Sequence, residues 1–529
     1  MLLHAWRSLS FKSVVRIAPA LLLAILCTIG FTLAGGYSSQ IQLRSDNIGS
    51  AVLLDGTNCS VIGRITSMSQ QNAYEKLAAG LIGTANNYVQ QCYSANSTGL
   101  TDCNYFVSQR LPGFMNDAAP CPFRSSLCRS NSNNLALDTG FLDTDAHFGL
   151  NAPPEERLLI RHKLQCAPLL TKGHVSLHGN YTRYDYGPAW AEFSTESEEY
   201  SIGRLNYTYE VPNLDNQYTV MNGDMMIEQS YMLRSVTLRL SLSPRMTFFL
   251  LVRSTSILLL GVFQVTLKHI LPSPVLLSPF LQNCARRSLF ADTINGTLGA
   301  SPTSGFLPSA EFDRPDADIF IVFLSGHGVF FSEPLHDEWY RATEPFDTLH
   351  NMVDEDSVPV YRTTEPASPL GCASQWQFCN KDNSACGPTA SYHDALSGAT
   401  GAFGSNDNES DENQSPAMNR LRWLLASTGI QGGGEDTILL NLQDSALLSK
   451  QSLFSGYQAP LPETQWKLDV TNWFSIYLAL IQSNLLQTAS GMMEAEIGIE
   501  AAKPTTEAAL SSCSNQVCFQ VLEDPVPHY

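Results

Sequence analysis

The amino-acid sequence predicts an α+β fold: a strand-rich, disulfide-bonded domain with packed C-terminal helices, preceded by one transmembrane helix. Three observations lead to this class. An apolar run without charge occupies residues 18–36, and cysteines are scattered through the chain behind it. Strand-like alternation over residues 157–211 gives way to helical spacing after residue 419. Together they predict one large domain on the far side of a membrane.

The N-terminal apolar run predicts a membrane anchor. Residues 18–36 form, as a helix, a span of about 30 Å, which is the thickness of the hydrocarbon core of a bilayer. Arg7, Lys12 and Arg16 precede the run without an acidic residue, so the positive-inside rule keeps residues 1–17 in the cytosol. Cleavage as a signal peptide after the small residues that end the run is the alternative. We expect a single-pass protein of the plasma membrane or secretory pathway, with its ectodomain outside the cytosol.

The composition argues against nucleic acid as a partner. The 529 residues include 50 acidic and 31 basic ones, a formal net charge of -19, so nothing supplies a cationic face for a phosphate backbone. The acidity is more simply a solvated outer surface. Membrane contact is expected through residues 18–36, and the composition does not identify a protein or carbohydrate partner.

Cysteine usage predicts disulfides. Of thirteen cysteines, Cys27 lies in the apolar run, which leaves an even number beyond it. The spacings around Cys121 and Cys372 place six residues between successive cysteines, unlike the CxxC pairs of zinc sites. The connectivity stays open. The disulfide candidates are Cys59, Cys92, Cys103, Cys121, Cys128, Cys166, Cys372, Cys379, Cys386, Cys513 and Cys518, and Cys284 completes the twelve.

Asn-x-Ser/Thr sequons spread along the same region and predict a glycosylated surface. The sequon at Asn413 is weakened by Pro416, which follows it directly. The candidate glycosylation sites are Asn58, Asn96, Asn180, Asn206, Asn295, Asn408 and Asn413.

Hydrophobic periodicity assigns the elements of the predicted domain, residues 37–512, ahead of a C-terminal tail at 513–529. The aromatic stripe of the last helix is expected to pack on the strands. In chain order we predict short strands in 38–69, a helix over 73–92, a cysteine-rich loop region in 93–145, strands in 157–211 and on both sides of a Ser-Gly-His-Gly turn at 325–328, a mobile loop over 398–415, and helices over 419–428, 438–453 and 464–490.

Residues 238–280 are an anomalous apolar insert. Residues 246–263 are apolar enough to suggest a second membrane span. However, Arg253 would lie in the middle of it, at a cost of about 2.5–3.5 kcal/mol. A span would also return the later sequons and cysteines to the cytosol. We therefore expect a segment that does not cross the membrane.

Two weak motifs could carry catalysis. The turn around His327 resembles the histidine motif of caspase-fold peptidases, and Cys372 follows it at a plausible distance for the nucleophile. The approach to Cys372 contains two prolines and predicts no buried strand, and the nearby Cys379 and Cys386 suggest that Cys372 is bonded. A glycine-flanked turn with an exposed histidine is the simpler interpretation.

The second motif is an Asp-Ala-Asp triplet. Asp316 and Asp318 match the DxD of many membrane-anchored glycosyltransferases, which holds a divalent ion against a nucleotide sugar. That motif normally ends a strand, whereas here the predicted strand begins at Ile319. A solvated cap before a strand is the simpler interpretation, so neither a metal nor a cofactor is expected.

Several segments resemble a large family of uncharacterised fungal membrane proteins. The resemblance lies in GYSSQIQL, APCPF, FGLNAPPEERLLIRHKLQCAPL, RPDADIFIVFLSGHG, LGCASQWQFCN and NWFSIYLALIQSNLLQTASG. It implies an N-terminal membrane helix, a cysteine-rich glycosylated ectodomain and a second, C-terminal membrane helix, with no activity to carry over. The final residues and the 238–280 insert depart from the family pattern. The leading hypothesis is a surface or endomembrane binding or structural module without catalysis.

Overall fold

The computed structural model describes most of the chain between residues 52 and 518. Among these residues no helix is long and apolar enough to cross a membrane. The predicted anchor at 18–36 and the apolar segment at 246–263 lie outside them. The described residues are 52–53, 59–62, 68–93, 103, 106–153, 156–187, 189–195, 198–205, 208–218, 232–235, 291–294, 297–300, 309–326, 328–346, 359–381, 384–404, 415–428, 434–490, 501–514 and 517–518.

The described residues form a mixed α+β fold whose sheets are almost entirely antiparallel. The strands in chain order are β1 (Val52–Leu53), β2 (Val61–Ile62), β3 (Phe114–Ala119), β4 (Asn134–Asp138), β5 (Leu142–Asp143), β6 (Leu158–Pro168), β7 (Val175–His178), β8 (Tyr181–Tyr184), β9 (Ala189–Thr195), β10 (Glu198–Leu205), β11 (Tyr209–Pro212), β12 (Met232–Ser235), β13 (Ala291–Ile294), β14 (Thr297–Ala300), β15 (Asp318–Ser325), β16 (Phe330–Phe331), β17 (Glu344–Phe346), β18 (Val360–Arg362), β19 (Ser368–Asn380), β20 (Leu453–Phe454), β21 (Tyr457–Gln458), β22 (Ala501–Ala502) and β23 (Val517–Cys518).

The helices follow the apolar spacing that the sequence shows, and most of them lie in the C-terminal half. Two 3₁₀ helices, Gln443–Ala446 and Leu448–Ser452, stand where the sequence predicts the second half of a longer helix. The α-helices are α1 (Met68–Cys92), α2 (Leu214–Tyr218), α3 (Tyr392–Ala402), α4 (Pro416–Thr428), α5 (Glu435–Leu442), α6 (Gln465–Ser490) and α7 (Glu507–Ser514).

A seven-stranded sheet forms the centre of the domain, in the order β12-β15-β19-β6-β4-β3 with β5 beside β6. Its longest pair is β19 and β6, which run in register from Leu370 opposite Pro168 to Asn380 opposite Leu158. Side chains alternate between the two faces, as a strand requires. Along β15, Leu324 belongs to the core on one face and Phe323 to the core on the other.

Helices cover one face of this sheet. α6 lies at the centre of the layer, packs against α1, α4 and α5, and is buried along almost its whole length. Trp473 is fully buried, and Tyr477 stands edge-on to Trp376 of β19 with 6.1 Å between the ring centroids. The predicted packing of the aromatic stripe on the strands is confirmed.

Strands cover part of the opposite face. The small sheet β11-β8-β7 places Tyr184 and Tyr209 against Phe323 of β15. Farther along the central sheet this face is lined by partly exposed side chains, among them Arg161 and Asp138, which are paired by charge at 2.6 Å. The strand layer is therefore narrower than the helix layer.

The two ends of the described chain meet. β1 pairs with β23 and β2 pairs with β22. Cys59 and Cys513, 454 residues apart in sequence, form a disulfide between these pairs. The first and last described segments therefore lie side by side.

Five disulfides join ten of the predicted cysteines within the described residues. Cys518 lies in β23, whereas Cys27 and Cys284 lie outside these residues. The pairs are Cys59–Cys513, Cys92–Cys103, Cys121–Cys128, Cys166–Cys372 and Cys379–Cys386.

The prediction that no buried strand precedes Cys372 is wrong, because β19 is a central strand buried along most of its length. Pro369 is its second residue, and proline is tolerated near the start of a strand. Both faces of β19 are covered, so no polar alternation marks it in the sequence. Two predicted boundaries also differ: residues 398–402 of the expected mobile loop belong to α3, and the expected tail begins at Cys513 inside α7.

Candidate functional site

The predicted nucleophile Cys372 is bonded in the structure. It lies opposite Cys166 in the β19–β6 register, and the two sulfurs form a disulfide with neither residue exposed to solvent. A peptidase of the caspase kind attacks with a free thiolate. No thiolate exists at this position while the disulfide is intact. His327 lies outside the described residues.

A small cleft opens where β15 ends, directly before the position of His327. It encloses about 10 Å³, which is room for about one water molecule. Arg129 closes one side of it: its guanidinium donates to the backbone carbonyls of Leu169 and Glu338 and pairs with Glu365 at 2.5 Å. Arg129 therefore joins three segments of the chain beside the cleft.

Two hydroxyl groups near the cleft are buried without a hydrogen-bond partner among the described residues. They belong to Ser325, the last residue of β15, and to Ser368, the first residue of β19. Buried polar groups are nearly always satisfied by protein or by ordered water. Of the two residues, Ser368 lines the cleft, which has room for one water molecule beside its hydroxyl.

The two aspartates of the DxD motif bind other parts of the chain. Asp316 pairs with Arg314 at 2.8 Å and accepts a hydrogen bond from the Gln375 side chain. Burial would raise the pKa of the Asp316 carboxyl, but the bonds from Arg314 and Gln375 outweigh it and hold the pKa below its usual value. Asp318 accepts a hydrogen bond from the backbone N–H of Tyr392 at 2.9 Å.

These contacts give Asp318 a structural role. Tyr392 is the first residue of α3, so Asp318 satisfies one of the N–H groups that a helix start leaves unpaired. The residue is 7% exposed, so it caps a helix inside the protein rather than a strand in solvent. Within the described part of the chain, no group of three or more histidine, cysteine or acidic residues is arranged to hold a metal ion.

A buried histidine–glutamate pair is the most distinctive polar contact of the helix face. His162 of β6 and Glu435 of α5 lie 2.8 Å apart through Nε2 and Oε1, with 1% and 0% of their side chains exposed. The imidazole stacks on the Trp376 ring at a centroid distance of 4.0 Å and on Phe474 at 5.4 Å. The pair joins the first turn of α5 to the centre of the sheet.

Two buried aspartates act at the start of α6. Asp337 accepts hydrogen bonds from the backbone N–H groups of Trp339 and Tyr340 and, at 3.0 Å, from that of Trp466 in the first turn of α6. Asp469 accepts from the Tyr340 hydroxyl at 2.6 Å and from the backbone N–H of Leu448 at 2.7 Å. Burial raises the pKa of Asp337 to about 6 and that of Asp469 to about 7.

Buried carboxylates lie at three helix starts, in two different arrangements. A carboxylate that is distant in sequence reaches the first turn of α3 from Asp318 and that of α6 from Asp337, and the first turn of α5 supplies Glu435 to the sheet. Each contact is buried, which removes the group from any substrate in solution. The candidate chemistry of these residues is therefore positioning of helices.

Comparison with known proteins finds no match: no family model, no curated protein and no solved structure is similar to the chain. The interpretation of function therefore rests on the residues of this chain.

Sequence reasoning missed the His162–Glu435 pair, the two buried aspartates and the small cleft. The histidine lies in a strand-like run and its partner is 273 residues away, so no local pattern connects them. Of the candidate sequons, Asn180 lies in the described part of the chain, on an exposed turn between β7 and β8. The asparagines of the other six sequons lie outside it: Asn58, Asn96, Asn206, Asn295, Asn408 and Asn413.

Proposed function

We propose that this chain is a membrane-anchored glycoprotein whose disulfide-bonded domain lies outside the cytosol and acts as a binding or structural module. The observation that carries the proposal is the set of five disulfides. Disulfides of this density persist in oxidising compartments and are rare in the cytosol. The apolar residues 18–36 would deliver the domain across the membrane and hold it there.

A module without catalysis is favoured over the two enzymatic alternatives. A peptidase needs the thiol of Cys372, and the sulfur is bonded to Cys166. A DxD glycosyltransferase needs the carboxylates of Asp316 and Asp318, which bind Arg314 and the start of α3. The resemblance to uncharacterised fungal membrane proteins agrees with the module and remains part of the proposal.

The proposal is tested by expressing the full chain in a eukaryotic secretory host. We expect the protein to stay in the membrane after carbonate extraction, to begin with its own N-terminal residues, to lose mass on enzymatic removal of N-glycans, and to yield the five disulfide-linked peptide pairs without reduction. The matched control replaces residues 18–36 with a cleavable signal peptide, and we expect that version in the medium. A protein that is cytosolic, reduced and without glycan would contradict the proposal.

The alternatives have their own test. Replacing His327 and Cys372 separately and assaying proteolysis would support a peptidase if activity were present and vanished in both variants. Manganese-dependent binding of a nucleotide sugar that is lost in Asp318→Ala would support a glycosyltransferase. We expect neither result.

A further inference from the structure

Several strands are sheet edges within the described residues, and two of them, β3 and β7, differ in how they are protected. β3 ends the central sheet and β7 ends the three-stranded sheet β11-β8-β7. A free edge presents unpaired N–H and C=O groups and can pair with the edge of another molecule. Proteins therefore blunt their edges with bulges, charges, prolines or a covering group.

The chain itself protects β3. Its register against β4 shifts between Asn116 and Ala119, which marks a bulge. The Asn116 side chain accepts a hydrogen bond from the Ala118 N–H at 3.1 Å, and the Lys467 ammonium donates to the Asp117 carbonyl. The bulge and these two hydrogen bonds to the backbone make much of the β3 edge unavailable for pairing with another strand.

β7 has none of these devices among its four described residues. Its register against β8 is continuous from Val175 opposite Tyr184 to His178 opposite Tyr181, so it contains no bulge. Its sequence, Val-Ser-Leu-His, contains neither proline nor a lysine, arginine or acidic residue. All four residues are exposed, and Leu177 and Val175 expose 74% and 39% of their surface. Its shortness limits pairing, but such a strand stays open to another edge unless a further group covers it.

The Asn180 sequon lies at the tip of the hairpin that β7 forms with β8. Gly179 precedes it with φ +59°, which a two-residue hairpin turn demands of its first residue. The Asn180 backbone carbonyl accepts from the N–H of Asn213 and from the Asn216 side chain, which fixes the turn. The Asn180 side chain is exposed and makes no hydrogen bond to another described residue, so its amide is open to modification.

We propose that an N-linked glycan on Asn180 covers the free edge of β7 and prevents two copies of the protein from pairing through it. The strand is about 13 Å long, short enough to be shielded by one branched oligosaccharide attached two residues beyond its end. The glycan takes the role that the bulge and Lys467 have at β3. This inference rests on the proposed location of the domain in the secretory pathway.

The sequon is best removed at its asparagine. Thr182, the third residue, is 1% exposed and donates a hydrogen bond to the Asn213 side chain at 2.7 Å, so replacing it would also damage the sheet. Asn180→Gln removes the glycan and leaves the turn glycine and the hairpin pairs in place. Asn408→Gln removes a different sequon of the same chain and serves as the matched control.

The experiment measures the mass of the full chain in detergent by size-exclusion chromatography with light scattering. We expect Asn180→Gln to raise the weight-average protein mass about twofold or more, because an edge pairs with its own copy about a two-fold axis. Asn408→Gln should stay at the mass of the parent. Adding Leu177→Lys to Asn180→Gln should restore that mass, because a charge on the edge opposes pairing. Enzymatic trimming of the N-glycans on the folded parent protein, which leaves one sugar at each site, gives the same comparison without any substitution.

Several outcomes would overturn the inference. An Asn180 peptide without glycan from a chain that carries glycans elsewhere would do so, and so would Asn180→Gln remaining at the parent mass. Equal association of the Asn180 and Asn408 variants would mean that glycan loss in general, and not the β7 edge, is responsible. A chain without any glycan would contradict the proposed function as well, which separates the two failures.

Discussion

The two faces of the central sheet are held by different means. On the strand face, aromatic rings pack on one another and their hydroxyls reach backbone carbonyls: Tyr184 donates to Ala367 at 2.8 Å and Tyr186 to Leu170 at 2.7 Å. On the helix face, a similar apolar core also encloses ionisable side chains, such as Glu435. Buried apolar area stabilises a layer without direction, whereas a buried hydrogen bond fixes the position of what it joins.

The difference follows from the elements that each face must hold. The strand layer is a hairpin-connected sheet whose own hydrogen bonds fix its shape. The helices have no such ladder to the sheet, and helices can slide and rotate on an apolar surface. Contacts such as Asp337 with the N–H of Trp466 give α6 one defined start. We therefore expect substitutions on the strand face to act through lost area, and those on the helix face to depend on polar partners and on pH.

The largest effect is expected from Phe323→Ala on the strand face. Phe323 is fully buried and stacks on Tyr209 at a centroid distance of 4.4 Å. Removing the ring leaves a cavity and should lower the free energy of unfolding by about 3–5 kcal/mol. Denaturant unfolding at pH 5 and pH 8 should give the same loss, because the substitution changes no ionisable group. Phe323→Leu is the matched control, with a smaller loss, and a strong pH dependence of the loss would break the comparison.

A smaller effect, with a different signature, is expected from Glu435→Leu on the helix face. The substitution leaves the buried Nε2 of His162 without its partner and should cost about 1–3 kcal/mol. The double variant His162→Phe with Glu435→Leu should regain most of this loss. Replacing both partners with apolar groups leaves neither side chain of the pair unsatisfied, and a phenyl ring keeps the stack on Trp376, although the 3.3 Å contact of His162 Nδ1 with the Gln375 carbonyl is lost. Losses that simply add in the double variant would show that the pair does not act as a unit.

The smallest effect is expected from Asp469→Asn, as a change in pH dependence. Because burial raises the pKa of Asp469 to about 7 in the folded protein, the folded state holds a proton that the unfolded state releases near pH 4. The stability from this group is present below about pH 4 and is lost as the pH rises toward 7. The parent should therefore lose about 1–2 kcal/mol more than the variant between pH 5 and pH 7.

The geometry of the site makes this variant informative. Asparagine can keep an oxygen toward the Leu448 N–H, and its nitrogen can donate to the Tyr340 hydroxyl oxygen when that hydroxyl donates to Ser449 instead. Asp337, whose pKa burial also raises, remains in both proteins and leaves a residual slope. The free energies of unfolding of parent and variant, plotted against pH, should have different slopes between pH 5 and pH 7. Parallel plots would contradict the raised pKa of Asp469.

Sequence alone predicts the parts of this fold that local pattern determines. The 3.6-residue spacing predicts helices over 73–92 and 464–490, and the structure has α1 at Met68–Cys92 and α6 at Gln465–Ser490. The even number of cysteines beyond the apolar run predicts the disulfides but not their partners. The alternation of apolar and polar residues does not reveal β19, because a strand that is covered on both faces has apolar residues on both.

The candidate site was less predictable than the fold, for a physical reason. His327 and the DxD motif are recognisable because their residues are neighbours in sequence. The contacts that the structure brings together join residues such as Asp337 and Trp466, which are 129 positions apart. Asp318 shows the same limit: its triplet suggests metal binding, and only the position of α3 reveals a helix cap.

Cys59 pairs with Cys513 and Cys166 pairs with Cys372. These two disulfides keep the molecule covalently joined even when its backbone is cut between Cys166 and Cys372. A single peptide-bond cleavage anywhere between Cys166 and Cys372 would produce two polypeptides that two covalent bridges still hold together. One of these bridges crosses the centre of the sheet and the other joins the first and last described segments of the chain. Proteolytic cleavage between Cys166 and Cys372 would therefore yield a protein of two chains that separate only when the disulfides are reduced.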